Sequence, residues 1–147
     1  MKITRQADYA IRAILYLARV APNELVSTKR IAQEQHIPLS FLAKIISQLS
    51  LAGLIQTTRG TRGGVTLAQS PKNITLLEVV EAIDGPILLN ECVYDEHACN
   101  FGHDCPLQPI WCNAQNDLIR RLRETNFGLF TTLNYKQKSY TAPGHGE

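Results

Sequence analysis

Residues 37–64 read IPLSFLAKIISQLSLAGLIQTTRGTRGG, and this stretch decides the fold. Pro38 breaks any helix before it, and Ser40 opens a new one that runs to Ala52 and stops at Gly53. On that helix Leu42, Ile45, Ile46, Leu49 and Ala52 recur at helical spacing and form a stripe expected to be buried. Ser40, Phe41, Lys44, Ser47 and Gln48 fall on the opposite face. Beyond the glycine, Leu54–Thr58 is rich in β-formers and Val65-Thr66-Leu67 alternates apolar and polar residues, the signature of a hairpin. The connection Arg59-Gly60-Thr61-Arg62-Gly63-Gly64 holds three glycines and two arginines.

Two helices precede this stretch. Ala7, Ala10, Ile11, Ile14, Leu15 and Ala18 form one apolar face over residues 4–20, which Pro22-Asn23 ends. Ser27 or Thr28 caps a short helix from Lys29 to Gln35. Helix, short helix, turn, helix, hairpin is the order of a winged helix-turn-helix. The fold class expected is therefore mainly α with a small β-hairpin wing. In such a domain the second helix of the pair enters the major groove and needs short polar or cationic groups on its free face. Ser40, Lys44, Ser47 and Gln48 supply them, while Phe41 packs on the wing or meets a thymine methyl. At the wing tip Arg59, Thr61 and Arg62 are the candidate contacts, since an arginine fits a narrow minor groove where the potential is most negative.

Charge supports a polyanion partner on one side of the molecule. Residues 1–72 carry ten lysines and arginines against three acids, a net of +7, and residues 73–147 carry five against ten, a net of −5. Taken alone this charge also fits a solvated surface; beside the recognition-like helix and the basic wing it makes double-stranded DNA the expected partner. The chain opens Met1-Lys2-Ile3-Thr4-Arg5 without the apolar run of a signal peptide, and its most apolar stretch, Ala10 to Ala21, is broken by Arg12 and Arg19. No membrane role and a cytoplasmic location are expected, in which thiols stay reduced.

The second half opens with a strong helix start. Thr75 and Glu78 form a reciprocal capping pair, and Ile74 is placed to staple onto Val79. Asp84-Gly85-Pro86 ends that helix. Residues 90–106 read as irregular, and Leu107 to Thr125 as a long helix with Leu107, Ile110, Trp111, Ala114, Leu118 and Leu122 in register. That stripe is either a dimer seam or an intrachain core. The organisation expected is a winged helix-turn-helix over 1–84, a cysteine-rich loop over 85–106, a dimerisation helix over 107–133 and a disordered tail over 134–147.

All four cysteines, Cys92, Cys99, Cys105 and Cys112, fall on this loop and the helix after it. Disulfides are disfavoured without a secretory signal. Structural zinc sites use shorter spacings within a ligand pair, although a zinc staple remains open. An iron–sulfur cluster accepts wide, loop-borne spacing. Catalysis lacks support: there is no two-residue-spaced cysteine pair, no phosphate-binding glycine loop and no acid–base pair.

With these residues in view the chain resembles the IscR/NsrR-type iron–sulfur-sensing regulators of bacteria over roughly residues 1–130, most closely the IscR type. The matching stretches are Asp8-Tyr9-Ala10, Ile37 through Leu42, Gly53-Leu54-Ile55, the wing Arg59 through Gly64, Ile74 through Val80, Ala82-Ile83, and the three loop cysteines. The resemblance implies a homodimer on a palindromic operator, acting mainly as a repressor. It also implies a cluster, of the 2Fe-2S kind in the IscR type, held by Cys92, Cys99 and Cys105 plus one further ligand and supplied by the iron–sulfur assembly machinery. Control of cluster-assembly genes follows for that type, and a nitric-oxide or redox response for the NsrR type. Three positions depart from the pattern. Gln108 stands where the IscR type has a histidine, the loop is one residue longer between its first two cysteines, and Ala43 replaces a glutamate that tunes DNA choice. Gln108, His103, His97, Cys112 and Asp8 of a second subunit are the candidates for the fourth ligand.

Overall fold

The computed structural model describes residues 2–132; the tail expected over 134–147 lies outside the described residues. Helix α1 spans Arg5–Arg19, and the Thr4 hydroxyl caps it by accepting from the Ala7 amide at 3.1 Å. Helix α2 spans Thr28–Glu34 with Ser27 as its cap, and α3 spans Leu39–Leu51. Strands β1 (Ile55–Thr58) and β2 (Gly64–Leu67) pair antiparallel, Ile55 opposite Leu67 and Thr58 opposite Gly64, while Val26 bridges to Val65 on the other side. Helix α4 spans Leu76–Asp84 and α5 spans Gln108–Glu124. Single 3-10 turns lie at Pro71–Asn73, Glu91–Val93, Gly102–Asp104 and Phe127–Phe130.

The main core is built by α1, α3 and α4 with the base of the hairpin. Ile14, Ile31, Leu42, Ile45, Leu49, Val65, Ile74 and Val79 are buried there, each worth about 1.5–3 kcal/mol of apolar transfer. Both halves of the Thr75–Glu78 capping box form, at 2.8 and 3.2 Å, and Ile74 and Val79 are buried in one cluster as the staple requires. Ala52 departs from expectation: it is the exposed C-cap residue of α3 and lies past the last turn that meets the core.

The α5 stripe divides. Leu118 and Leu122 pack with Ile119 on Leu77, Val80 and Ile87 of the same chain, so they belong to an intrachain core. Leu107, Ile110 and Trp111 are 53%, 59% and 40% exposed, and Ala114 is exposed as well. Length explains the division. The end of α5 is fastened to the start of α4 by Leu76 N donating to Thr125 O at 2.8 Å and Phe127 N to Ile74 O at 3.0 Å. Helix α4 has nine residues and α5 seventeen, or about 14 and 26 Å at 1.5 Å per residue. The first turns of α5 therefore overhang the end of α4. Beyond α5, Phe127 turns back and is buried in the main core.

Candidate functional site

The wing is shaped by backbone proximity. A Cβ on Gly63 would strike the Thr58 carbonyl oxygen, and one on Gly64 would lie 2.8 Å from the Val26 carbonyl oxygen. Only glycine fits both positions, so the tip between Thr58 and Gly64 takes one tight course. Arg59, Thr61 and Arg62 are all exposed on it.

On α3, Ser40, Lys44 and Ser47 are exposed as expected. Phe41 is 48% exposed and meets Tyr9 of α1 edge to face, ring centres 6.4 Å apart. Its aromatic partner is thus α1 rather than the wing. Gln48 lies seven residues on, on the same stripe as Phe41. It is half-buried, and its Oε1 is enclosed without a hydrogen-bond partner. It lies on the same face as Lys44, one turn on, but is less open to solvent than the lysine.

Several basic residues of the first half are occupied within the chain. Arg12 pairs with Asp8 at 2.6 Å and lies over the Tyr9 ring at 5.5 Å. Arg30 donates to Glu24 at 2.9 Å and lies over Tyr16; the hydrogen bond to Glu24, followed by the neighbouring Tyr16, raises its already high pKa. Arg19 Nε donates to the Phe130 carbonyl at 2.9 Å. Lys44, Arg59 and Arg62 therefore present the cationic surface around α3 and the wing.

The cysteine loop lies against the overhanging end of α5. Cys92 sits on the turn Glu91–Val93, where Asn90 Oδ1 caps the Glu91 amide. Gln108 Nε2 donates to the Cys92 carbonyl at 3.3 Å, and Leu89 N donates to Gln115 Oε1 at 2.9 Å. Cys92, Cys105 and Cys112 are half-buried and Cys99 is exposed; all four are free thiols. Among the described residues no three histidine, cysteine or acidic side chains gather closely enough to hold a metal. In kind, three thiols on one loop suit an iron–sulfur cluster; closing them around one requires the segment between Cys92 and Cys105 to move. Gln108 is held at Cys92 by its amide, His97 is exposed with its backbone amide bonded to Asp95, and Asp8 is paired with Arg12. Sequence reasoning missed Gln115 and Tyr9 as structural partners. Tyr9 lay in a recognised motif, but Gln115 carried no signal, because a lone glutamine on a polar helix reads as solvated.

No helix among the described residues is long and apolar enough to cross a membrane. A family model described as an iron-dependent transcriptional regulator, Rrf2, matches residues 3–131. The chain is 34% identical over 122 residues to the HTH-type transcriptional regulator NsrR of Bacillus licheniformis, covering 83% of this chain and 81% of that protein. Among solved structures it resembles CymR, the global cysteine regulator of B. subtilis, with a TM-score of 0.73, 26% identity and coverage of 89% and 97% of the two chains. It shares its fold with T. potens IscR at a TM-score of 0.70 and 22% identity, over 98% and 94% of the two chains. A winged helix with exposed polar groups on α3, a glycine-shaped basic wing and these relatives have one meaning: the chain belongs to the Rrf2 family and is a DNA-binding transcriptional regulator, not an enzyme.

Proposed function

We propose that this regulator acts mainly as a repressor, in the cytoplasm, as a homodimer on a palindromic operator. Its DNA affinity follows the occupancy of an iron–sulfur cluster of the 2Fe-2S kind held by Cys92, Cys99 and Cys105. The organisation proposed is a reader over 1–84, a cluster loop over 85–106 and a dimerisation region over 107–133 of which α5 is the helix. The observation that carries the reading is the placement of three free thiols on one loop laid against a helix with an exposed apolar face, Leu107, Ile110 and Trp111. Such a face covered by its own copy gives a symmetric dimer whose two readers meet successive half-sites about 34 Å apart. Ser40, Phe41, Lys44 and Gln48 of α3, with Arg59, Thr61 and Arg62 of the wing, are the proposed contacts.

The cluster, when bound, supplies a group whose presence depends on iron and sulfide supply, delivered by the assembly machinery. The chain's own part is to hold the loop near α5, and α5 packs on α4, which in turn packs on α1 and α3. A coupling of about 1–3 kcal/mol along that path gives a several-fold to hundredfold change in DNA affinity. The test is anaerobic purification followed by an absorbance spectrum, iron and sulfide analysis, and operator titration before and after chelation. A coloured protein whose affinity changes on chelation is expected. A colourless zinc protein would leave a stapled winged helix with no sensing role. A response to nitric oxide alone, with assembly-gene operators ignored, would favour the NsrR-type alternative.

A further inference from the structure

We infer that Gln115, assisted by Gln108, is the positioning residue that holds the Cys92 end of the cysteine loop on α5, making Cys92 the pre-placed thiol of the set. Gln115 is the buried polar residue among those described, 8% exposed on a helix that is otherwise half-buried or open. A buried amide is kept only where it is bonded, and its Oε1 accepts from the Leu89 amide at 2.9 Å. Gln108 lies two turns earlier on the same face and donates to the Cys92 carbonyl at 3.3 Å. The two amides span the segment Leu89–Cys92 like a pair of brackets. Below it, Ile87 is buried with Leu77, Val80, Leu118, Ile119 and Leu122. The segment is thus fixed by apolar packing at Ile87, by a backbone donor at Leu89 and by a backbone acceptor at Cys92.

The middle of the loop is more open. Tyr94 is 82% and Phe101 75% exposed, and Cys99 between them is exposed too. Local opening free energy is lowest where buried contacts are few, so the loop has a fastened Cys92 end and an open middle that carries Cys99. Cys92, Cys99 and Cys105 would hold the cluster, and reaching that arrangement would require the open middle with Cys99 to close toward Cys92. Because Ile87, two residues before Leu89, belongs to the packing of α5 on α4, the Cys92 end is also the one joined to the proposed DNA-reading helices.

This inference rests on the reading of the loop as a cluster site, and the experiment separates the two. The full chain, prepared free of iron, is alkylated with iodoacetamide and each thiol is timed by mass spectrometry. Cys99 is expected to react at least several-fold faster than Cys92. In Gln115→Leu the Leu89 amide loses its acceptor, and Cys92 is expected to speed up about tenfold while Cys99 is unchanged and the thermal transition stays cooperative. Gln115→Glu keeps an acceptor and is expected to restore slow alkylation. The inference is overturned if Gln115→Leu leaves Cys92 slow, if it speeds all four thiols alike, or if Gln115→Glu is as fast as Gln115→Leu. Reconstitution of the wild-type chain with iron and sulfide is read separately: absence of a chromophore sinks the cluster reading, while the alkylation rates still decide the bracket.

Discussion

Single side chains divide into those whose role is written in their type and those whose role is written in their neighbours. Arg59 and Arg62 belong to the first group: two arginines on a glycine-rich hairpin tip are the proposed groove contacts, and both are exposed there. Arg59→Ala is expected to weaken operator binding by about 1–3 kcal/mol if the side chain reaches a base edge; titration of both single variants against a cognate site checks it, and two wild-type affinities would remove the wing from the interface. Gly63 belongs to the second group. Its glycine was legible, but not the reason, which is the Thr58 carbonyl directly beneath. Gly63→Ala should distort the wing and cost about 1–3 kcal/mol of stability, seen as a lowered thermal midpoint together with weaker DNA binding. The cysteines were legible as a set of thiols on one loop, yet their separation in space was not, since that depends on how the loop is fastened. Cys112 is half-buried on α5, and Cys112→Ala should leave the chromophore largely intact. Alanine at Cys92, Cys99 or Cys105 should abolish it; a colourless but folded Cys112→Ala would instead make this a four-cysteine site.

Among the elements, legibility followed locality. The start of α4 was readable to the residue because a capping box is a four-residue device, and both of its hydrogen bonds form. The turn Phe127–Phe130 was not readable, because one aromatic after a helix has no period to betray it; its burial comes from the distant pairing of Thr75 with Asn126. Helix α5 shows both cases at once. Its stripe was legible as apolar, but the change of partner along it follows from the shorter α4, which no local pattern encodes. The two halves should therefore fail differently. Ile110→Asp lies on the overhang and should yield a folded monomer. Leu118→Asp places a charge among Leu77, Val80 and Ile87 and should cost several kcal/mol of stability before it affects association. Gel filtration with a thermal melt separates them, and an intact Ile110→Asp dimer would move the proposed interface elsewhere.

Over the whole molecule the charge asymmetry decides what kind of partner is possible. With a net of +7 in residues 1–72, a dimer touching several phosphates should show a log–log salt slope of magnitude about 4 or more. Operator titration across 50–200 mM salt is the check, and a flat response would contradict DNA binding through this face. The fold class was legible at this scale because helix, helix, hairpin is a short-range order. How the chain's end meets its beginning was not. Phe127 completes the core that α1, α3 and α4 enclose, and Arg19 holds the Phe130 carbonyl. That closure has a consequence for synthesis. A ribosome finishes α3 and the wing long before it delivers Phe127, and at about 5–20 residues per second the interval lasts several seconds. Throughout it the nascent chain carries the proposed DNA contacts on an unfinished core. A chain that stops before Phe127 is therefore expected to carry its proposed reader on an incomplete core and to melt at a lower temperature than the full chain.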